Sequence, residues 1–135
     1  MSVVRLAGID IGTLTCRLLI ADLLPGGRLK ELHSERRILR LGEGVDRTGR
    51  LKPEALERVI QCLKTWRAAI DGYQVDGCAV VATSAVRDAG NRSEFVALVA
   101  RETGLTVEVI SGDEEARRTV RGIRSGLPAG VTDVL

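Results

Sequence analysis

The chain has few of the residues on which several large classes of protein depend. Aromatic residues make up 2% of its 135 residues, and they are Trp66, Tyr73 and Phe95. Three aromatic side chains spread along the sequence do not build the stacking surface that single-stranded nucleic acid requires, so nucleic acid is not expected as a partner. His33 is the only histidine, which leaves carboxylates to carry any acid–base chemistry.

Cysteines and long apolar runs are scarce as well. Cys16, Cys62 and Cys78 are odd in number, widely spaced and set among apolar residues, which favours buried thiols over a disulfide framework or a zinc site. No apolar stretch approaches the roughly 18 residues that a membrane-spanning helix needs, and the N-terminus lacks the charged start and apolar block of an export signal. We therefore expect a cytoplasmic protein without a membrane partner.

Basic residues are abundant but uneven in type, with 17 Arg against 3 Lys at a formal net charge of +2. The planar guanidinium fork of Arg matches phosphate and carboxylate groups, so this excess suits an anionic substrate. A genome biased toward Arg codons produces the same excess, and both interpretations are open.

Local signals along the chain predict three antiparallel strands followed by alternating helices and buried strands. This order of elements is typical of a mixed five-stranded sheet flanked by helices, an α/β fold. The expected strands are at 3–9, 15–23, about 28–40, 78–83 and 105–110, with another beginning at Val131; the expected helices begin at Pro53, at Asn91 with a capping box to Glu94, and at Ser111, the last ending near Arg124.

The most informative segment is Gly-Ile-Asp-Ile-Gly-Thr-Leu-Thr at residues 8–15. A strand that delivers an acidic residue into a glycine-containing turn leaves backbone N–H groups directed into one small space, which can hold phosphate. Gly12 allows the backbone to approach an anion, Thr13 and Thr15 add hydroxyl donors, and Asp10 can bind Mg²⁺ or its waters. The alternative is an ordinary hairpin with an aspartate at its turn.

A second candidate segment, Thr-Ser-Ala-Val-Arg-Asp at 83–88, directly follows a predicted buried strand. Ligands in sheets of this type collect beyond the carboxyl ends of the strands, where Arg87 can clamp phosphate oxygens. Arg87 can instead pair with Asp88 or Glu94 at the surface, and spacing alone does not decide between these roles.

The third candidate segment is the acidic run that follows Ser111. With Ser111 as the N-cap of a helix, Glu114 can close a capping box and Asp113 stabilises the positive end of the helix dipole. Glu115 has no such local role, and it could act as a general base on a water that attacks a phosphoryl group. The alternative is a third solvated acid near a helix start.

These three segments together resemble the N-terminal part of the exopolyphosphatase/guanosine pentaphosphate phosphohydrolase (Ppx/GppA) family. The matching blocks lie at 8–13, 83–95 and 110–117, in order and at family spacing, and the resemblance covers essentially the whole chain. The Ser-Gly-x-Glu-Glu-Ala block makes the combination specific. The outline also resembles one ribonuclease-H-like half of the actin, sugar kinase and chaperone ATPase superfamily.

The resemblance implies an activity and a role for each candidate residue. Such enzymes release terminal phosphate from inorganic polyphosphate, and some remove the 5′ phosphate of guanosine pentaphosphate, with Mg²⁺ assisting. The resemblance implies Glu115 as the catalytic residue that activates water, Glu114 as structural, and a homodimer for the full-length protein. The implied ligands of substrate and metal are a phosphate loop formed by Gly12, Thr13, Leu14 and Thr15, the phosphate-binding Arg87, and Asp10 as the metal-binding residue.

Two departures from the family pattern limit what the resemblance implies. Leu14 stands where the family commonly has Asn, which removes one possible phosphate contact. A second phosphate loop of the type Asp-x-Gly-Gly-Gly-Ser, expected directly after the strand at Val131, is not within residues 1–135. We therefore expect residues 1–135 to be the N-terminal ribonuclease-H-like phosphatase domain, with little or no turnover by itself. A non-catalytic phosphate- or nucleotide-sensing module is the rival hypothesis.

Overall fold

The computed structural model describes residues 3–110 of the chain. Within that range, five strands and four helices alternate in the order that the sequence predicts. In chain order they are β1 (Val4–Ile11), β2 (Thr15–Leu23), β3 (Leu29–Ile38), α1 (Val45–Thr48), α2 (Pro53–Tyr73), β4 (Gly77–Ala82), α3 (Ser84–Arg87), α4 (Arg92–Thr103) and β5 (Val107–Val109).

The strands form one mixed sheet in the order β3-β2-β1-β4-β5. β2 is antiparallel to both β1 and β3, whereas β4 is parallel to both β1 and β5. The prediction of a mixed five-stranded sheet flanked by helices is thus confirmed. Because β1, β4 and β5 are parallel, their last residues meet at one end of the sheet, which we call the carboxyl end; the opposite end, where β1 and β4 begin, is the amino end.

The hydrophobic core lies between one face of the sheet and the two long helices. Ile9 and Ile11 alternate with Asp10 along β1, so the isoleucines face the core and the aspartate faces the other side of the sheet. They pack in one cluster with Trp66 of α2 and Phe95 of α4, both fully buried. α2 begins at Pro53, as predicted, because proline needs no hydrogen-bond acceptor for its nitrogen in the first turn.

Three local predictions differ from the structure. β1 continues to Ile11 rather than ending at residue 9. Asn91 makes no side-chain cap at the start of α4, so the predicted capping box with Glu94 is wrong. Cys78 is exposed, unlike the buried Cys16 and Cys62. The helix expected from Ser111 and the strand expected from Val131 lie outside the described residues.

Candidate functional site

The carboxyl end of the sheet holds together two segments that are distant in the sequence. Thr83, the residue after β4, donates its backbone N–H to the carbonyl of Ile11 at 3.2 Å, and its buried hydroxyl lies 3.5 Å from the same oxygen. The turn that follows β1 and the start of α3 therefore lie side by side.

The turn after β1 uses one of its amides internally and leaves two open. The N–H of Gly12 donates to the carbonyl of Thr15 at 3.0 Å, and a Cβ on Gly12 would lie only 2.8 Å from that oxygen, so the tightness of the turn requires glycine. Among residues 3–110, the N–H groups of Thr13 and Leu14 meet no acceptor, and both residues are exposed. These two amides are the donors that a phosphate could use.

The carbonyls of the same turn are held from behind by the segment that follows β3. Leu39 and Arg40 both donate N–H to the carbonyl of Leu14 at 3.0 Å, and Gly42 donates to the carbonyl of Thr13 at 2.9 Å. The two polar groups of a trans peptide point in opposite directions, so fixing the Thr13 carbonyl toward Gly42 directs the Leu14 N–H away from it. The open side of the turn consequently carries donors.

Asp10 lies one residue before the end of β1, opposite Arg17 on β2 and Val81 on β4. It is half-buried and sits on the sheet face away from the helices. Within the described range, no group of three or more His, Cys, Asp or Glu side chains could hold a metal by itself. A single carboxylate beside a phosphate-binding turn still fits Mg²⁺, which is commonly held by one or two carboxylates together with substrate phosphates and water.

Arg87 at the end of α3 reaches across the carboxyl end of the sheet. Its Nη1 donates to the carbonyl of Ile110 at 3.3 Å and its Nε pairs with Asp88 at 3.3 Å. Glu94, the other partner considered from the sequence, lies 3.8 Å from Arg50 instead. These contacts use two of the five N–H groups of the guanidinium, so surface pairing and phosphate binding are compatible.

Asn91 ties this end of the molecule together rather than capping a helix. Its buried carboxamide accepts from the N–H of Leu51 at 2.8 Å and donates to the Leu51 carbonyl at 3.1 Å, as a neighbouring strand would. Gly90 adds a 2.7 Å hydrogen bond to the carbonyl of Gly49. The corner that carries Arg87 is thereby joined to the segment that continues from the turn's backing residues.

Sequence reasoning did not assign two residues that contact the turn directly. The hydroxyl of Ser84 lies 3.0 Å from that of Thr13, and Gly42 packs against the Thr13 side chain. The position of Ser84 directly after a buried strand was a usable signal for the first. No local signal marks the second, because Gly42 has an ordinary backbone conformation.

Cys16, the second residue of β2, adjoins the turn but is chemically inert. Burial, reinforced by the nearby Cys62, raises the pKa of its thiol to about 12, so the thiol stays protonated at neutral pH and is a poor nucleophile. Glu115, the predicted catalytic residue, lies outside the described residues.

The order of this sheet and the position of the turn define a ribonuclease-H-like domain of the actin-like ATPase type, as the sequence predicts. The Ppx/GppA phosphatase family model matches residues 19–135. The chain belongs to the Ppx/GppA phosphatase family, whose members include phosphatases.

Individual relatives are similar over nearly the whole chain. Exopolyphosphatase 2 of Mycobacterium tuberculosis is 41% identical over 147 residues, which cover 99% of this chain and 46% of that protein. The Ppx/GppA family member of Aquifex aeolicus superposes with a TM-score of 0.82 at 42% identity, covering 86% of this chain and 38% of that one. An exopolyphosphatase of Cytophaga hutchinsonii superposes with a TM-score of 0.81 at 34% identity, covering 92% and 39%. The chain thus spans less than half the length of these relatives.

Proposed function

We propose that this chain is the N-terminal phosphate-binding domain of an exopolyphosphatase-type phosphohydrolase that releases terminal phosphate from inorganic polyphosphate. The observation that carries the proposal is the set of open donors at the carboxyl end of the sheet: two exposed amides at Thr13 and Leu14, and the unused N–H groups of Arg87 among the described residues. The names of the M. tuberculosis and C. hutchinsonii relatives support the choice of polyphosphate.

In the proposed reaction, each residue of the site acts on a phosphate oxygen or on water. The turn from Gly12 to Thr15 receives the terminal phosphoryl group, and Arg87 fixes its orientation and offsets charge that develops on its oxygens. Glu115 takes the proton from the attacking water. Asp10 holds Mg²⁺, which supplies further positive charge against the phosphate oxygens when it is bound.

The partner call from the sequence divides in the same way. A polyphosphate or guanosine pentaphosphate substrate belongs to this proposal, and the second phosphate-loop domain, the homodimer of the full-length protein and the cytoplasmic location stay predictions. Within the described residues, no helix combines the length and apolar character that crossing a membrane demands.

The test compares two carboxylates that are adjacent in sequence. The complete protein that the reading frame encodes is assayed for phosphate release from polyphosphate and from guanosine pentaphosphate, with Mg²⁺. We expect Glu115→Gln to lower the rate by at least about 100-fold, because it removes the general base. Glu114→Gln is the matched control, since glutamine also closes a capping box, and it should stay within a few-fold of wild type.

Other outcomes of the same assay select the alternatives. Preference for guanosine pentaphosphate replaces the polyphosphate substrate with the nucleotide. Unchanged hydrolysis by Glu115→Gln, together with loss of binding by Arg87→Ala, favours the non-catalytic sensing module. The isolated 135-residue chain is expected to show little or no turnover, and a rate near that of the complete protein would contradict this.

A further inference from the structure

Two hydroxyl groups bridge the ends of β1 and β4 and have no part in the function proposed above. Thr13 Oγ1 and Ser84 Oγ lie 3.0 Å apart although 71 residues separate them in the sequence. Thr13 is exposed and Ser84 is half-buried. The pair therefore adjoins the two open amides of the turn.

The chemistry of two hydroxyls in contact leaves one directed donor. Each hydroxyl carries one hydrogen, so one hydrogen is used between the two oxygens and the other is available to a third group. Hydrogen bonds in such a chain polarise one another, which strengthens the outward donor. A phosphate oxygen is an acceptor only and matches it, whereas a neutral sugar hydroxyl gains less from a charge-assisted hydrogen bond.

Gly42 fixes the orientation of the Thr13 side chain. A Cβ on Gly42 would overlap the Thr13 methyl group Cγ2 and lie 3.2 Å from the Ala85 Cβ. The backbone of Gly42 is not in the left-handed region, so space rather than conformation requires a glycine here. With its methyl group packed over Gly42, Thr13 presents its hydroxyl to Ser84.

We propose that Ser84 binds a phosphate oxygen of the substrate together with Thr13, and that Gly42 is the positioning residue that fixes the Thr13 rotamer. The inference rests on the proposed function, because it adds a contact to the same phosphate site. It makes Ser84 a binding residue in addition to the Gly12–Thr15 turn and Arg87.

The first experiment measures binding of inorganic tripolyphosphate with Mg²⁺ to the complete protein by titration calorimetry. Ser84→Ala should raise Kd roughly tenfold or more, the usual effect of removing a hydrogen bond to a charged group. Ser84→Thr keeps the hydroxyl and should stay within about threefold of wild type. Ser34→Ala is the matched control, because Ser34 is exposed on β3 and its hydroxyl bonds only Glu31, at 3.4 Å. An unchanged Kd for Ser84→Ala would overturn the role of Ser84.

The second experiment tests Gly42 through a compensating pair of substitutions. Gly42→Ala should raise Kd roughly tenfold because it displaces the Thr13 methyl group. Thr13→Ser removes that methyl group and keeps the hydroxyl, so Gly42→Ala/Thr13→Ser should bind within about threefold of Thr13→Ser alone. Gly72→Ala, in α2 with nothing within 4 Å of the added Cβ, is the control and should bind like wild type. A purely structural defect would not be rescued by Thr13→Ser.

The outcomes separate this inference from the proposed function. Tripolyphosphate binding that depends on Ser84, with no hydrolysis of polyphosphate, keeps the inference and rejects the proposed function. Hydrolysis that does not depend on Ser84 does the reverse. Absence of tripolyphosphate binding by the wild-type protein overturns both. If Gly42→Ala fails to fold, as shown by circular dichroism, the Ser84 variants and the double variant still decide.

Discussion

The two ends of the sheet are built from the same strands and yet treat polar groups in opposite ways. At the amino end, the Arg5 guanidinium forms a double hydrogen bond with Asp22, at 2.8 and 3.2 Å, and donates to the carbonyl of Tyr73 at 2.9 Å. Asp76 exchanges two 2.7 Å hydrogen bonds with the backbone of Arg5. Charges there are matched within the chain, so the amino end stabilises the fold and offers little to a ligand.

At the carboxyl end, donors outnumber the acceptors of the described residues. The amides of Thr13 and Leu14, the outward hydrogen of the hydroxyl pair and the rest of Arg87 point to no acceptor there. The difference between the ends suggests that polar groups left unmatched within one sheet mark where a ligand supplies the match. Three predictions test that comparison.

The largest effect is expected from exchanging the two arginines. Arg87→Ala should lower phosphate release by the complete protein about 100-fold or more, since a donor to developing charge is lost. Its unfolding free energy should change by less than about 1 kcal/mol, because the Asp88 pair lies at the surface. Arg5→Ala should do the opposite, lowering the melting temperature while kcat and KM stay the same. Equal effects on activity would break the distinction between the ends.

A smaller effect is expected from the carboxamide that braces the carboxyl end. Asn91→Ala should lower the unfolding free energy by about 2–3 kcal/mol, because both backbone groups of the buried Leu51 then lose their partner. Gln61→Ala removes an exposed amide that bonds Glu57 and should change stability by less than about 0.5 kcal/mol. Urea unfolding measures both, and a similar loss in the two variants would contradict the bracing role.

The smallest effect concerns acid stability at the amino end. Hydrogen bonding to Arg5 holds the pKa of Asp22 below its ordinary value. The contribution of Asp22 to stability is therefore complete above its unfolded pKa, about 3.9, and is lost as the pH falls through the lower folded pKa. Asp22→Asn should have a lower melting temperature than wild type at pH 7, with the difference shrinking below about pH 4. A difference that stays constant down to pH 2.5 would contradict the assignment.

A matched substitution controls for the general effect of removing a carboxylate. Asp46→Asn lies in the first turn of α1, where Asp46 is exposed and enters no ion pair among the described residues. Its difference from wild type should not share the pH dependence of Asp22→Asn. Melting curves recorded by circular dichroism between pH 2.5 and 7 measure both variants.

Local sequence signals were sufficient wherever neighbouring residues decide the structure. Pro53 marked the start of α2, and the buried run before Thr83 placed Arg87 at the carboxyl end of β4. The capping box at Asn91 was wrong because its carboxamide is taken by Leu51, 40 residues away. The role of Gly42 was likewise invisible, since it depends on the Thr13 methyl group packed against it in the fold. Tertiary partners of this kind leave no periodic pattern in the sequence.

The separation of 71 residues between Thr13 and Ser84 has a consequence for how the chain folds. Closing so long a loop costs conformational entropy before any contact across it is gained, so the pairing of β1 with β4 is expected late. The hairpin of β1 and β2 can form early, but it carries only half of the hydroxyl pair. Phosphate recognition then belongs to the completed fold alone, and an anion that binds there selects the native chain over partly folded ones.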